Sequence, residues 1–95
     1  MTTSEPRFEW DPSKELSNFH KHGVWFADAT YVFMDVRAIV KEDHELSEER
    51  YVMIGMDGVA RVLVVAFTWR GDLVRIISAR KANRLEERLY DRGER

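Results

Sequence analysis

Val62-Leu63-Val64-Val65-Ala66-Phe67 is apolar at every position, and the reading of this run decides the fold. A strand wetted on one side alternates polar and apolar residues. An unbroken apolar run reads instead as a central strand covered on both faces. Immediately upstream, Arg50–Met56 reads as a second strand, and Asp57-Gly58 between the two reads as a tight hairpin turn, since both turn positions want positive φ. The hairpin's second strand is expected over Val59–Trp69. Arg70-Gly71-Asp72 then makes the next turn and Leu73–Ala79 the next strand. Before the hairpin, Arg37–Val40 reads as a short strand, followed by an acidic loop from Glu42 to Glu48.

The two ends supply helices. Phe8-Glu9-Trp10 alternates as a short first strand, and Asp11-Pro12 opens a helix: the carboxylate accepts from free first-turn amides, and proline has no N–H to waste there. This helix is expected to run to about His22, with Leu16 and Phe19 facing inward and Gly23 as the left-handed stop. A second helix over Phe26–Phe33 carries Phe26, Ala29, Thr30 and Phe33 as one stripe, weakened by β-branched Thr30 and Val32. Near the C-terminus, Asn83 and Glu86 form a capping box, with Leu85 and Leu89 as a buried pair and Arg84 and Arg88 on the neighbouring face. The expected order is β-α-α-β-β-β-β-α, an α+β domain with an antiparallel sheet packed against helices.

Composition supports one such domain over residues 1–95, with residues 1–6 and 92–95 as frayed ends. The chain is 44% hydrophobic and 34% charged, too apolar for disorder. It has no Cys, which excludes disulfide frameworks, thiolate zinc sites and cysteine nucleophiles. No apolar run approaches the ~20 residues needed to span a bilayer, and Met1–Pro6 lacks the form of a signal peptide. A cytoplasmic setting without membrane contact is the expectation.

The net charge of -2 conceals an asymmetry, since residues 1–41, 42–69 and 70–95 carry -1, -4 and +3. Between Arg70 and Leu85 five basic residues (Arg70, Arg75, Arg80, Lys81, Arg84) face one acid, Asp72. This is either a phosphate-binding patch or a solvated face paired with nearby acids. Arg75-Ile76-Ile77-Ser78-Ala79-Arg80-Lys81-Ala82-Asn83-Arg84 takes a strand into a cationic turn and a helix start, where backbone amides also favour anions. Alternation puts Arg75 on the face opposite Val74 and Ile76. The competing reading pairs Arg75 and Arg80 with Glu48 or Glu49.

Other chemistries are poorly served. His20 and His22 sit two apart on a helix and cannot chelate together, and His44 has no ligand neighbour, so neither a metal nor another cofactor is expected. The glycines form no phosphate-binding loop, and no Ser-His-Asp order is present.

Four blocks carry a resemblance: Phe8-Glu9-Trp10-Asp11-Pro12-x-Lys14, Asn18-x-x-Lys21-His22-Gly23-Val24-x-Phe26, Glu49-Arg50-Tyr51-x-x-Ile54-Gly55, and Arg75-Ile76-Ile77-Ser78-Ala79-Arg80 with Glu86 and Tyr90. From Phe8 to about Tyr90 the chain resembles the BrnT family, toxins of type II toxin–antitoxin pairs. The resemblance implies a RelE/ParE-like α+β fold, ribonuclease activity that blocks translation, and neutralisation by a BrnA-like antitoxin in a hetero-oligomer. Operator DNA would be reached only through the antitoxin.

By the same resemblance, His22, Glu49, Arg50, Arg75 and Arg80 are the catalytic candidates, and Lys21, Lys81 and Arg84 would grip RNA. Chemistry suggests His22 or Glu49 as base and Arg50 and Arg80 as phosphate stabilisers. Alternatively, His22 only caps helix carbonyls and Tyr90 only packs. A different functional class also stays open, a non-enzymatic partner or co-repressor of a DNA-binding antitoxin. Trp25, Phe26 and Trp69 would then be contact candidates.

Overall fold

The computed structural model describes residues 7–43 and 49–93. Five strands, β1 (Arg7–Glu9), β2 (Ile39–Asp43), β3 (Arg50–Met56), β4 (Val62–Arg70) and β5 (Leu73–Lys81), form one sheet ordered β1-β5-β4-β3-β2. The apolar run Val62–Phe67 thus occupies the central strand. Its Leu63, Val65 and Phe67 join one core cluster and its Val64 another, so both faces are covered.

The sheet is mixed, not wholly antiparallel. β2, β3, β4 and β5 pair antiparallel, but β1 lies parallel to β5, with Arg7, Phe8 and Glu9 opposite Leu73, Val74 and Arg75. A strand far in sequence from its neighbour is free of hairpin geometry, and the intervening chain supplies the long crossover that a parallel pair requires.

The hairpin loop is longer than a two-residue Asp-Gly turn. The Asp57 N–H donates to the Arg61 carbonyl at 2.9 Å, and the left-handed residue is Ala60 at φ 65°, not Gly58. A three-residue loop of this kind closes with one left-handed position. It delays β4 until Val62. The Asp57 carboxylate holds the loop by accepting from Val59 N, Arg61 N and Arg61 Nε at 2.8–3.0 Å.

α1 (Pro12–His22) starts and stops as its sequence dictates: Asp11 accepts from Ser13 N, and Gly23 at φ 72° donates to the Phe19 carbonyl. Its inward residue is Asn18. Leu16 is 51% exposed and Phe19 only half-buried, against the expectation that both face the core. The reason lies at the sheet. β1 covers β5 only as far as Arg75, so the edge at Ala79 needs polar partners, and Asn18 supplies them by donating to the Ala79 carbonyl at 2.8 Å and accepting from its N–H at 3.2 Å.

α2 (Phe26–Ala29) tightens into a 3₁₀ segment, Thr30–Met34, where an uninterrupted helix to Phe33 was expected. With three residues per turn the buried stripe becomes Phe26, Ala29 and Val32, while Phe33 is only half-buried. β3 passes close beneath. A Cβ on Gly55 would lie 2.7 Å from Val32 Cγ1 and 3.0 Å from Ala38 Cβ.

α3 (Arg84–Arg92) has the expected capping box and ends at left-handed Gly93. Arg92 therefore belongs to the helix rather than to a frayed end. The buried residue is Tyr90, not a Leu85–Leu89 pair, for Leu85 is 63% exposed. α2 and the 3₁₀ segment cover one sheet face, while α1 lies along the β5 edge, held there by Asn18. α3 covers part of the other through Tyr90, which packs with Ile54 and Val64.

Candidate functional site

Strand alternation sorts the cations. Tyr51, Phe67, Ile76 and Ala79 pack on the helix-covered face in the cluster with Val24 and Phe26. Their neighbours Arg50, Arg75 and Arg80 consequently emerge from the opposite face, the one α3 covers only in part. A register shift at Ala66/Phe67 keeps this grouping intact, because Ile77 is the extra residue: Phe67 pairs with Ile76 and Ala66 with Ser78. Without that bulge Arg75 and Arg80, five apart, would fall on opposite faces.

The three guanidinium groups are differently engaged. Arg75 Nη1 donates to Glu9 Oε2 at 3.0 Å, and Arg70 approaches the same carboxylate at 3.7 Å. Arg80 is held bidentately by Glu86, Nη1 to Oε1 and Nη2 to Oε2, each 2.8 Å. That hydrogen bond, ahead of the cost of burial, holds the Arg80 guanidinium above and the Glu86 carboxyl below their ordinary pKa ranges. Neither arginine pairs with Glu49, and Glu48 lies outside the described residues. Arg50 differs: its Nε is buried without a hydrogen-bond partner. A buried guanidinium nitrogen left unpaired is costly, and because it is closed to solvent an anion oxygen would satisfy it only once the side chain turns outward.

A second cationic element adjoins this face. Lys14, Ser17, Asn18, Lys21 and His22 of α1 and Ile77 and Ser78 of β5 line a cleft of about 230 Å³. Ser78 shares the face of Arg75 and Arg80, being paired with Ala66, so it joins the cleft to the arginine-bearing surface. His22 is half-buried and Lys21 exposed. Asn18, which sequence reasoning passed over except as part of a motif, fixes the arrangement by tying the β5 edge at Ala79 to the Val24 carbonyl after α1.

Not every candidate joins this surface. Glu49 is exposed ahead of β3, with its charge acting on the Tyr51 hydroxyl, on the helix-covered side. The Tyr51 pKa is raised, first by burial and then by the charges of Glu49 and Glu42. Lys81, opposite buried Leu63, leaves by the helix-covered face beside Arg61, and Arg84 is exposed at the first turn of α3. Tyr90 is a packing residue whose hydroxyl donates to Asp35 Oδ2 at 2.6 Å. His44 lies outside the described residues. Among those described, no three His, Asp or Glu side chains gather as metal ligands, and no helix is long and apolar enough to cross a membrane. Phe26 is fully buried, whereas Trp25 and Trp69 are exposed.

Comparisons with known proteins agree with this architecture. A family model described as "Ribonuclease toxin, BrnT, of type II toxin-antitoxin system" matches residues 10–86. The crystal structure of the Brucella abortus ribonuclease toxin BrnT is similar, at 25% sequence identity and a TM-score of 0.64, with 84% of this chain and 100% of that chain covered. Among curated proteins no significant match is found.

Proposed function

The chain belongs to the BrnT family of ribonuclease toxins of type II toxin–antitoxin systems, and from that premise we propose a metal-independent endoribonuclease that cleaves RNA and so inhibits translation. The observation that carries this reading is the gathering of Arg50, Arg75 and Arg80 on one sheet face, with Arg50 Nε buried and unpaired. Cytoplasmic action, neutralisation by a BrnA-like antitoxin in a hetero-oligomer, operator contact through that antitoxin alone, and kinship with RelE-type folds belong to the same proposal.

The cleavage needs three things. A base takes the 2′-hydroxyl proton as O2′ attacks phosphorus; cations stabilise the charge gathering on the phosphoryl oxygens; and an acid returns a proton to O5′ as the P–O5′ bond breaks. The products are a 2′,3′-cyclic phosphate and a 5′-hydroxyl. His22 is suited to the base role, because it lines the cleft and an imidazole nitrogen can accept the hydroxyl proton. Arg50 and Arg75 suit the phosphoryl oxygens, and Lys14 and Lys21 flank the cleft to hold the RNA backbone. Glu49, turned toward Tyr51, is the weaker candidate for base.

The test is incubation of purified protein with RNA in excess chelator. Cleavage persists in the wild type and falls on the order of 10²–10³-fold in Arg50→Ala, the loss typical of an oxyanion donor, while the thermal midpoint changes little. A folded Arg50→Ala protein with full activity refutes the assignment. Exposed Trp25 and Trp69 favour one second reading, a purely binding partner of the antitoxin. Absence of cleavage by wild type alongside tight antitoxin binding selects it.

A further inference from the structure

We infer that Arg80 is a positioning residue rather than a phosphate contact, acting through Glu86 to set α3 as the wall of the RNA-binding face. The inference rests on the ribonuclease reading and deepens it. Both arms of the Arg80 fork are taken by Glu86 at 2.8 Å. The same Glu86 Oε1 accepts from the Asn83 N–H at 2.9 Å, and Asn83 Oδ1 accepts from Glu86 N. One carboxylate therefore joins the strand guanidinium to the first turn of α3. At the other end of the helix Tyr90 donates to Asp35, which also accepts from Met56 N at 2.8 Å.

These polar ties fasten the two ends of a helix that buries little of itself. Leu85, Glu87 and Arg88 are exposed, and Tyr90 is its one fully buried residue. Beneath it lie Val64, the register partner of Arg80, and Ile54, which pairs with Val64 in turn, so the Arg80–Glu86 pair stands beside the apolar patch that α3 covers. Two strand positions farther along that face, the floor changes to Ser78, Ala66 and Val52, and then to Arg75 and Thr68. α3 is thus set at the border of the open, arginine-bearing half. A phosphate at Arg80 would have to displace a bidentate carboxylate.

The experiment is a double-mutant cycle on RNA cleavage, with Arg80→Ala, Glu86→Ala and the double variant. Each is assayed well below its own thermal midpoint, with kcat and KM separated. A positioning pair makes both single variants lose kcat/KM to the same extent, on the order of a hundredfold for a displaced site, with the double variant no worse than either. Glu86→Gln, which keeps a neutral hydrogen bond to Arg80 and to Asn83 N, restores most of the loss. If Arg80 contacts phosphate, Glu86→Ala frees its guanidinium, and activity holds or rises while Arg80→Ala alone loses it; that result overturns the inference. Inactive wild type with RNA bound or unbound sinks the ribonuclease reading itself, a distinct outcome from active wild type with an uncoupled pair.

Discussion

Replacing Asn18 by Leu tests how α1 is fastened to the sheet. The Asn18 amide donates to the Val24 and Ala79 carbonyls at 2.9 and 2.8 Å and accepts from the Ala79 N–H at 3.2 Å. Asn18 is 7% exposed, while Val24 and Ala79 are fully buried. Leucine has similar bulk but satisfies none of the three. Each orphaned buried group costs about 1–3 kcal/mol, and the costs share relaxation, so the net loss is about 3 kcal/mol. At about 2.1 cal/mol/K per residue, the unfolding entropy of this chain converts 3 kcal/mol into a fall of roughly 15 °C in the thermal midpoint. Urea denaturation followed by circular dichroism gives the free energy, and a thermal scan gives the midpoint. Because α1 also carries Lys21 and His22 to the cleft beside Ser78, RNA cleavage should fall in the variant even while it is folded. A loss under about 1 kcal/mol would mean that water reaches Ala79 and that the edge is not closed by this side chain.

Ala60→Gly relieves a left-handed alanine at φ 65° and should stabilise the protein by about 1 kcal/mol, seen as a raised urea midpoint at unchanged slope. Gly55→Ala forces a Cβ to 2.7 Å from Val32 Cγ1 and should cost about 1–3 kcal/mol, measured in the same way. Acid should unfold the protein in a defined window. Asp35 is pushed up by burial, but hydrogen bonds from Tyr90, Met56 and Arg37 outweigh that, so its carboxyl stays below its ordinary range; for Asp57, burial is likewise outweighed by bonds from Arg61 and Val59. Glu86 is lowered chiefly by Arg80. Folded pKa values below the unfolded ones give stability that is complete above about pH 5 and lost as pH falls through the carboxylate range below about pH 4. A urea midpoint flat from pH 7 to pH 3 would contradict this, and Asp35→Asn should blunt the acid loss.

Exposed apolar residues mark where local pattern and packing part company. Leu16 and Leu85 follow helical spacing, yet Asn18 and Tyr90 take the inward places, because each has a polar appointment across the fold: one with the β5 edge, the other with Asp35. Helical periodicity locates a helix but cannot weigh a hydrogen bond to a strand sixty residues away. The site shows the same division. The basic run from Arg70 to Arg84 is visible in the chain, but alternation alone puts Arg75 and Arg80 on opposite faces, and the bulge at Ile77 reunites them.

Short-range reading of the chain gives the α+β class, the central place of Val62–Phe67, both caps of α1, the capping box of α3, and the motifs that mark the family. These follow from short-range rules: periodicity, the left-handed freedom of glycine, and side chains that satisfy amides within one turn. The parallel placement of β1, the three-residue hairpin loop, the inward turn of Asn18 and the unpaired Arg50 Nε emerge only from the folded chain. Each depends on groups brought together from distant parts of the chain, where satisfying a buried donor or acceptor outweighs local preference.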